Sequence, residues 1–406
     1  MSITYLEAIR EAQALSLKNS DDVFIYGQDI GFFGGAFKAT KGLHDNYPDR
    51  VIDSPISEDA MVGLAVGAAI EGMRPIIEMQ FADFSSVGFN QIVNQAATMY
   101  WRTSVPCPIT IRLPSGGTPG SGPFHSQCME TIYAHYPGTI VMAPSTVEDA
   151  YSMLLEAVSI DDPVIFCEHK YLYYHLKAES LPKKALPAQK ARIVRPGRHA
   201  TIIAYSAMVH EAVSAAENLS KDGYEIEIVD LRCVKPIDID TVLGSIARTG
   251  RVLAVGEAFP WGGVTAEIIS QISSEGFNLL DAPPARLNSI DTPHFYSTLP
   301  IQVSDVIKAR LFLFGTITWW IPLIFMALIS YMSNELGLLP IGLVVMITVG
   351  IYIVNYTAMS TGLKTNSALF DAFVFIKFFF DEFIFSDIDP SINSTFGDHC
   401  SHAVSY

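Results

Sequence analysis

Residues 140–167 read Ile140-Val141-Met142-Ala143-Pro144-Ser145-Thr146-Val147-Glu148-Asp149-Ala150-Tyr151-Ser152-Met153-Leu154-Leu155-Glu156-Ala157-Val158-Ser159-Ile160-Asp161-Asp162-Pro163-Val164-Ile165-Phe166-Cys167. An apolar, β-branched run at 140–143 is followed by Ser145, which with Glu148 three residues later makes a helix-capping pattern. Tyr151, Leu154 and Leu155 recur at helical spacing, and a second apolar run, 164–167, closes the stretch. Strand, helix, strand in that order predicts a parallel pair joined by a crossover helix.

The same alternation extends outward in both directions. Runs at 23–26, 76–81 and 109–113, bounded by Gly, Pro or Asp, read as further buried strands, and together they predict an α/β domain over 1–180 with a parallel sheet covered on both faces. The segment 181–198 carries Pro182, Lys183, Lys184, Pro187, Gln189, Lys190, Pro196 and Gly197, which suits an exposed connection. A second strand–helix series follows, with strands at 201–205, 226–229 and 252–255 and a helix over 210–221. It predicts a smaller α/β domain over 199–309.

Composition narrows the function classes. The chain has 406 residues, half of them apolar, and a formal net charge of −16. That charge excludes a general nucleic-acid binder, which needs a basic surface to neutralise phosphates. The five cysteines are scattered, with no pair at metal-ligand spacing, which predicts a reduced, cytoplasmic setting for the soluble part.

Three segments could carry chemistry. Asp53-Ser54-Pro55-Ile56-Ser57-Glu58-Asp59 leads into a run with Gly63, Ala65, Gly67, Ala68 and Ala69, where small side chains permit close approach. It equally reads as an ordinary helix start with acidic residues at the positive end of the dipole. Glu78-Met79-Gln80-Phe81-Ala82-Asp83-Phe84 puts an amide, aromatics and a carboxylate at a strand's end, where ligands bind in open α/β sheets. It also reads as a core strand with a polar tip. The loop 114–127 is glycine-rich and ends in His125-Ser126-Gln127, so backbone and imidazole can approach a ligand. It lacks the P-loop lysine pattern, and a loop histidine is otherwise simply solvated.

Taken in order, these segments resemble the beta subunits of the thiamin-diphosphate-dependent first component of 2-oxoacid dehydrogenase complexes, in the transketolase-like group. Gly27-Gln28-Asp29-Ile30-Gly31, Thr40-Lys41-Gly42-Leu43, Asp53 to Glu58, Gln80 to Phe84 and His125-Ser126-Gln127 carry the resemblance. Ala207-Met208-Val209-His210, Asp230-Leu231-Arg232, Leu280-Asp281-Ala282-Pro283 and Asp291-Thr292-Pro293 extend it to about residue 309. The resemblance implies two transketolase-like domains: a pyrimidine-binding domain with a parallel sheet, then a smaller C-terminal α/β domain. It implies that Glu58 hydrogen-bonds a ring nitrogen of the cofactor's aminopyrimidine, that Gln80 and Phe84 line that pocket, and that His125 stands beside the reacting centre. It also implies a structural potassium ion on backbone carbonyls near Ala157, Ile160 and Asp162. No Gly-Asp-Gly magnesium motif occurs, so magnesium is expected on a separate alpha subunit, in an alpha-two beta-two heterotetramer with the cofactor between chains.

The implied reaction is oxidative decarboxylation of a 2-oxoacid with acyl transfer to the lipoyl groups of a dihydrolipoyl acyltransferase core. Segments 80–84 and 168–173 look nearer the branched-chain type, with pyruvate next. Two other readings stay open: the beta subunit of an acetoin dehydrogenase, and a membrane-associated scaffold that keeps the fold without catalysis. Two departures stand out. Gln28 occupies a position where the family has glutamate, and the family chain ends shortly after the stretch matched by 303–310, which puts docking to the acyltransferase core in doubt.

Beyond Arg310 the composition changes. Residues 311–334 and 336–363 contain no charged side chain, and each run is long enough to cross a bilayer. Lys308, Arg310 and Lys364 flank the pair and Glu335 lies between, which predicts a two-helix transmembrane hairpin (candidate helices 311–333 and 336–359) with both ends cytoplasmic. The expectation is an anchor on the inner membrane face; the alternative is an unrelated fragment joined by frameshift or fusion. The phenylalanine-rich segment 369–385 carries four charges and reads as interfacial.

Overall fold

The computed structural model describes residues 2–288 apart from 119, 183 and 184. In chain order the first part runs β1 (Ile3–Thr4), α1 (Tyr5–Asn19), β2 (Val23–Gly27), α2 (Leu43–Asn46), β3 (Val51–Asp53), α3 (Glu58–Ile70), β4 (Arg74–Glu78), α4 (Met99–Thr103) and β5 (Thr110–Ser115). It continues with α5 (Glu130–His135), β6 (Ile140–Met142), α6 (Val147–Ser159), β7 (Val164–His169), α7 (Leu172–His175) and β8 (Lys177–Ala178). The remainder is β9 (Arg192–Arg195), β10 (Ala200–Ala204), α8 (Met208–Lys221), β11 (Ile226–Asp230), β12 (Cys233–Lys235), α9 (Ile239–Thr249), β13 (Val252–Gly256), α10 (Val264–Glu275) and β14 (Ala285–Asn288).

Seven strands form the larger sheet in the order β12-β6-β7-β5-β4-β2-β3, parallel except for β12. Strands β2, β5 and β7 are buried along their whole length, as a parallel sheet covered on both faces requires. One face packs on α1 and α6, whose Tyr5, Ile9, Ala12, Met153 and Leu154 meet Phe166 and Tyr173. Helix α1 starts on a reciprocal cap: the Glu7 N–H donates to Thr4 Oγ1 at 3.1 Å, and the Thr4 N–H donates to Glu7 Oε2 at 2.8 Å. The other face packs on α3 and continues without a break through Val229 of the second sheet and Val242 and Ile246 of α9. That sheet has five strands in the order β14-β13-β10-β11-β9, with β9 antiparallel.

The expected strands and the helix over 140–167 are present, with shifted ends. The cap of α6 is Thr146, whose Oγ1 accepts the Asp149 N–H at 3.2 Å, and not Ser145. Ser145 instead donates to Asp230 Oδ2 at 2.5 Å, a bond to the second sheet that outcompetes local capping. Strand β4 ends at Glu78, and after Met79, whose N–H still donates to the Arg112 carbonyl at 3.1 Å, Gln80 and Phe81 leave the sheet. The segment 181–198, read as an exposed connection, includes strand β9, and residues 233–235 return to the larger sheet as β12 beside β6. Among the described residues no helix is long and apolar enough to cross a membrane. The expected hairpin, 311–333 and 336–359, and the Asp291-Thr292-Pro293 match lie outside the described residues.

A fully buried cation holds the centre of the larger sheet. Arg112, on β5, donates from Nε to Glu168 Oε1 at 2.6 Å and from Nη2 to Glu168 Oε2 at 2.8 Å. Its Nη1 donates to Glu78 on β4 and, at 3.2 Å, to Gln13 Oε1 on α1. Tyr173 adds its hydroxyl to Glu168 Oε2 at 2.8 Å. Burial disfavours the charge on Arg112, but Glu168 and Glu78 outweigh it and raise its pKa. Burial likewise raises the Glu78 carboxyl, against the pull of Arg112. Removing the guanidinium strands two buried carboxylates, so Arg112→Met is expected to cost about 3–5 kcal/mol. Denaturant unfolding followed by circular dichroism measures this, and a loss within error of zero would contradict the account.

Candidate functional site

In a parallel sheet the loops after the strands gather at one edge, and that edge is where ligands meet α/β folds. Here β2 leads into Gln28 and Asp29, β3 into the 54–57 segment before α3, β4 into 79–86, β5 into 116–127 and β7 into Lys170. Glu58, Gln80, Phe84 and His125 therefore emerge at the same edge.

Glu58 is the first residue of α3, behind Ser57, and it is buried. Its Oε1 accepts the Gln28 Nε2–H at 3.0 Å. Among the described residues no hydrogen-bond donor engages Oε2. The β3 end is pinned to the loop after β2, because the Gly31 N–H donates to Asp53 Oδ1 at 2.7 Å. A Cβ at Gly31 would come within 2.7 Å of that carboxylate, so a larger residue here would displace the Asp53 side chain.

The second half of the site is aromatic. His125 sits edge-on to Phe81 at 4.4 Å and to Phe84 at 5.5 Å between ring centroids. Phe81 and Phe84 are themselves edge-to-face at 5.7 Å, and Phe37 backs Phe81 at 5.4 Å. Gln80 Nε2 reaches Asp29 Oδ2 at 3.5 Å, beside Gln28. His125, Phe84 and Gln80 are thus brought together by the 79–84 turn, and Glu58 joins them through the Gln28–Asp29 pair. The contact runs through the end of β2 and not directly.

Residues given no site role in the sequence reading hold the histidine loop. His169, at the end of β7, accepts the Tyr171 N–H on Nδ1 at 3.2 Å, which places its hydrogen on Nε2. Nε2 donates to Glu257 Oε2 at 2.5 Å, and Glu257 Oε1 accepts the Gly117 N–H at 2.6 Å. Although burial pushes the Glu257 carboxyl up, His169 and the Gly117 N–H outweigh it and hold it below the ordinary range. Lys170 Nζ donates to the Gly116 carbonyl at 2.5 Å and lies 5.7 Å from the Phe81 ring centroid; burial lowers its pKa. The Gln127 N–H donates to Asp83 Oδ1 at 3.3 Å, closing the far end of the loop. Asp83 Oδ2 and Glu130 Oε2 are buried without a hydrogen-bond partner among the described residues, and burial raises the Glu130 carboxyl. Glu257 lies 140 positions from Gly117, so no local pattern marks the pair.

Ala157, Ile160 and Asp162, the expected potassium carbonyls, stand at the end of α6, on the opposite edge of the sheet. Arg74 already meets that helix end: its Nη1 donates to the carbonyls of Val158 and Ile160 at 3.0 and 3.1 Å, and its Nη2 to Asp161 Oδ1 at 2.5 Å. The Ala157 carbonyl accepts the Ile160 N–H at 3.2 Å. A potassium ion there would share the Ile160 oxygen with a guanidinium. Among the described residues no group of His, Cys, Asp and Glu side chains is arranged to hold a metal ion.

The loop's attachment can be tested at its first glycine. Gly116 has φ +77°, and an added Cβ would lie 2.0 Å from His169 Nε2; Gly120 has φ +83° with nothing within 4 Å. Both Ala substitutions suffer the left-handed backbone, but only Gly116→Ala also overpacks. It is expected to lose about 1–3 kcal/mol more than Gly120→Ala in denaturant unfolding. Equal losses would show that the His169 contact is loose.

Two family models match the chain: "Transketolase, pyrimidine binding domain" over residues 1–175 and "Transketolase, C-terminal domain" over 189–304. The chain is 39% identical over 320 residues to the mitochondrial pyruvate dehydrogenase E1 component subunit beta-2 of Oryza sativa subsp. japonica, covering 76% of this chain and 85% of the relative. It is 41% identical over 295 residues to the 2-oxoisovalerate dehydrogenase subunit beta of Bacillus subtilis (strain 168), covering 72% of this chain and 90% of that one. The pyruvate dehydrogenase E1 component subunit beta of Staphylococcus aureus is 39% identical over 295 residues, with 71% and 90% covered. Among solved structures, a "split gene transketolase, inactive beta4 tetramer" superposes with a TM-score of 0.59 at 20% identity, covering 76% of this chain and 97% of that chain, a likeness of fold.

Proposed function

Because the chain belongs to the family of beta subunits of the 2-oxoacid dehydrogenase first component, we propose that its Glu58, Gln80, Phe84 and His125 form the beta-subunit half of a decarboxylating active site completed by an alpha subunit. The family works with thiamin diphosphate, and its magnesium ion is held by the alpha subunit. When bound, the cofactor supplies the electron sink that allows a 2-oxoacid to lose carbon dioxide. The observation that carries this reading is the buried Glu58 carboxylate, with one oxygen engaged by Gln28 and the other left for a ligand, at the edge shared with the His125–Phe81–Phe84 cluster.

Each side chain has a separate task in this reading. Glu58 Oε2 holds a proton against the aminopyrimidine ring nitrogen and so orients that ring. Phe84 presents an aromatic face and Gln80 a polar group beside it. His125, held edge-on by two phenylalanines, donates a hydrogen bond to developing negative charge on the substrate. The substrate is a 2-oxoacid, and relatives named for pyruvate and for 2-oxoisovalerate are similar to the chain to nearly the same degree. The branched-chain preference rests on segments 80–84 and 168–173 alone, and pocket size separates such substrates by only about 1–3 kcal/mol per methylene or so. The lipoyl disulfide of an acyltransferase core would be the two-electron oxidant, one sulfur taking the fragment as a thioester and the other leaving as a thiol. Retention of the four site residues disfavours a scaffold without catalysis. An acetoin-cleaving complex would use the same residues.

Co-expression with an alpha subunit, assayed with pyruvate and 3-methyl-2-oxobutanoate and a dye acceptor, tests the reading. Glu58→Gln is expected to lower decarboxylation by about a hundredfold or more while the assembly stays intact. Native-like turnover in that variant would overturn the assignment. The anchor reading of 311–359 rests on hydropathy alone, and it predicts that the full chain sediments with membranes and needs detergent for release. Recovery in the high-speed supernatant would refute it.

A further inference from the structure

Gln28 is buried at the end of β2 and donates from Nε2 to Glu58 Oε1 at 3.0 Å across thirty residues of sequence. By resemblance to the family a glutamate belongs here, and the amide differs from it in one decisive way. Two carboxyl groups about 3 Å apart cannot both be charged and share a proton between them. An amide NH2 is a donor that does not ionise near neutral pH, so it stabilises the ionised partner. Glu58 also opens α3, where the unpaired N–H groups and the helix dipole favour an anion.

Most titratable groups packed around this pairing engage other partners. On α3 itself, Asp59 Oδ2 accepts Gln91 Nε2 at 3.4 Å. From β4, Glu78 is paired with Arg112, and Arg74, at the strand's far end, with Asp161. Strand β2 brings Tyr26, and the packed segment Gln91–Ala96 has no titratable side chain. Next to Gln28, Asp29 accepts Gln80, and Asp53 accepts the Gly31 N–H.

We propose that Gln28 is a positioning residue that holds Glu58 as a carboxylate through Oε1, so that binding of an aminopyrimidine at Oε2 draws in a proton from solvent. This rests on the reading of Glu58 as the partner of the cofactor ring. The proton comes from the buffer acid, whose O–H or N–H bond breaks and whose conjugate base stays in solution, and it ends in the hydrogen bond between Oε2 and the ring nitrogen. A carboxyl in place of Gln28 would already hold that proton, and binding would need none.

The experiment is calorimetric titration of thiamin diphosphate with magnesium into the assembly with an alpha subunit, at pH 7, in two buffers of different ionisation enthalpy. Proton uptake is read from the difference between the two heats. The native assembly is expected to take up about one proton per site. Gln28→Glu is expected to reduce uptake towards zero, and Gln28→Met, which removes the donor at similar volume, to weaken binding about tenfold. A native uptake near zero, or an uptake in Gln28→Glu equal to the native value, would overturn the inference. The native measurement needs no variant, so a variant that fails to fold leaves the test intact. Glu58→Gln run alongside separates the two levels. If it abolishes uptake while Gln28→Glu behaves like native, only the role of Gln28 falls. If it binds with native affinity and uptake, the assignment of Glu58 falls as well.

Discussion

Arg112 has no contact with solvent, and its charge is held by a two-pronged pair with Glu168, a further pair with Glu78 and a hydrogen bond to Gln13. A buried cation is tolerable only when its donors are nearly all satisfied, and that condition fixes where β4, β5, β7 and α1 stand relative to one another. Glu78 is the last residue of β4, two positions before Gln80, and Glu168 is one position before His169. The ion cluster therefore lies directly beneath the edge that bears the candidate site. The loops above it inherit a fixed platform.

Above that platform the arrangement is asymmetric. The loop after β2 brings Gln28 to Glu58, and the turn after β4 builds an aromatic cup around His125. The second sheet adds a further hold on the glycine-rich histidine loop. Glu257 reaches across to the Gly117 N–H and to His169, while Lys170 takes the Gly116 carbonyl. The smaller sheet thus does more than cover apolar surface. It also returns residues 233–235 as an edge strand of the larger sheet, so the two layers share one core.

Much of this was readable from local patterns. Buried strands announce themselves as short β-branched runs, and the order of strands and helices carries the α/β class, since both signals arise within a few residues. The turn carrying Gln80 and Phe84 and the helix start carrying Glu58 lie where those patterns end. Boundaries were less readable. Ser145 has the better local capping pattern, yet Asp230, far away in sequence, claims its hydroxyl and leaves the cap to Thr146. Strand β9 hides in a proline-rich segment because its pairing with β11, not its composition, makes it a strand.

The sequence by itself determined the strand–helix alternation and the α/β class, which depend on local periodicity, and the resemblance carried by its ordered short motifs named the four candidate site residues. Tertiary structure alone decided that Gln28 meets Glu58, that Phe81 rather than a polar neighbour makes the closest ring contact with His125, and that Glu257 ties down the histidine loop. These are contacts between chain segments separated by thirty to more than a hundred positions. Their geometry follows from parallel strands placing their C-terminal ends side by side, a relation that no stretch of sequence contains.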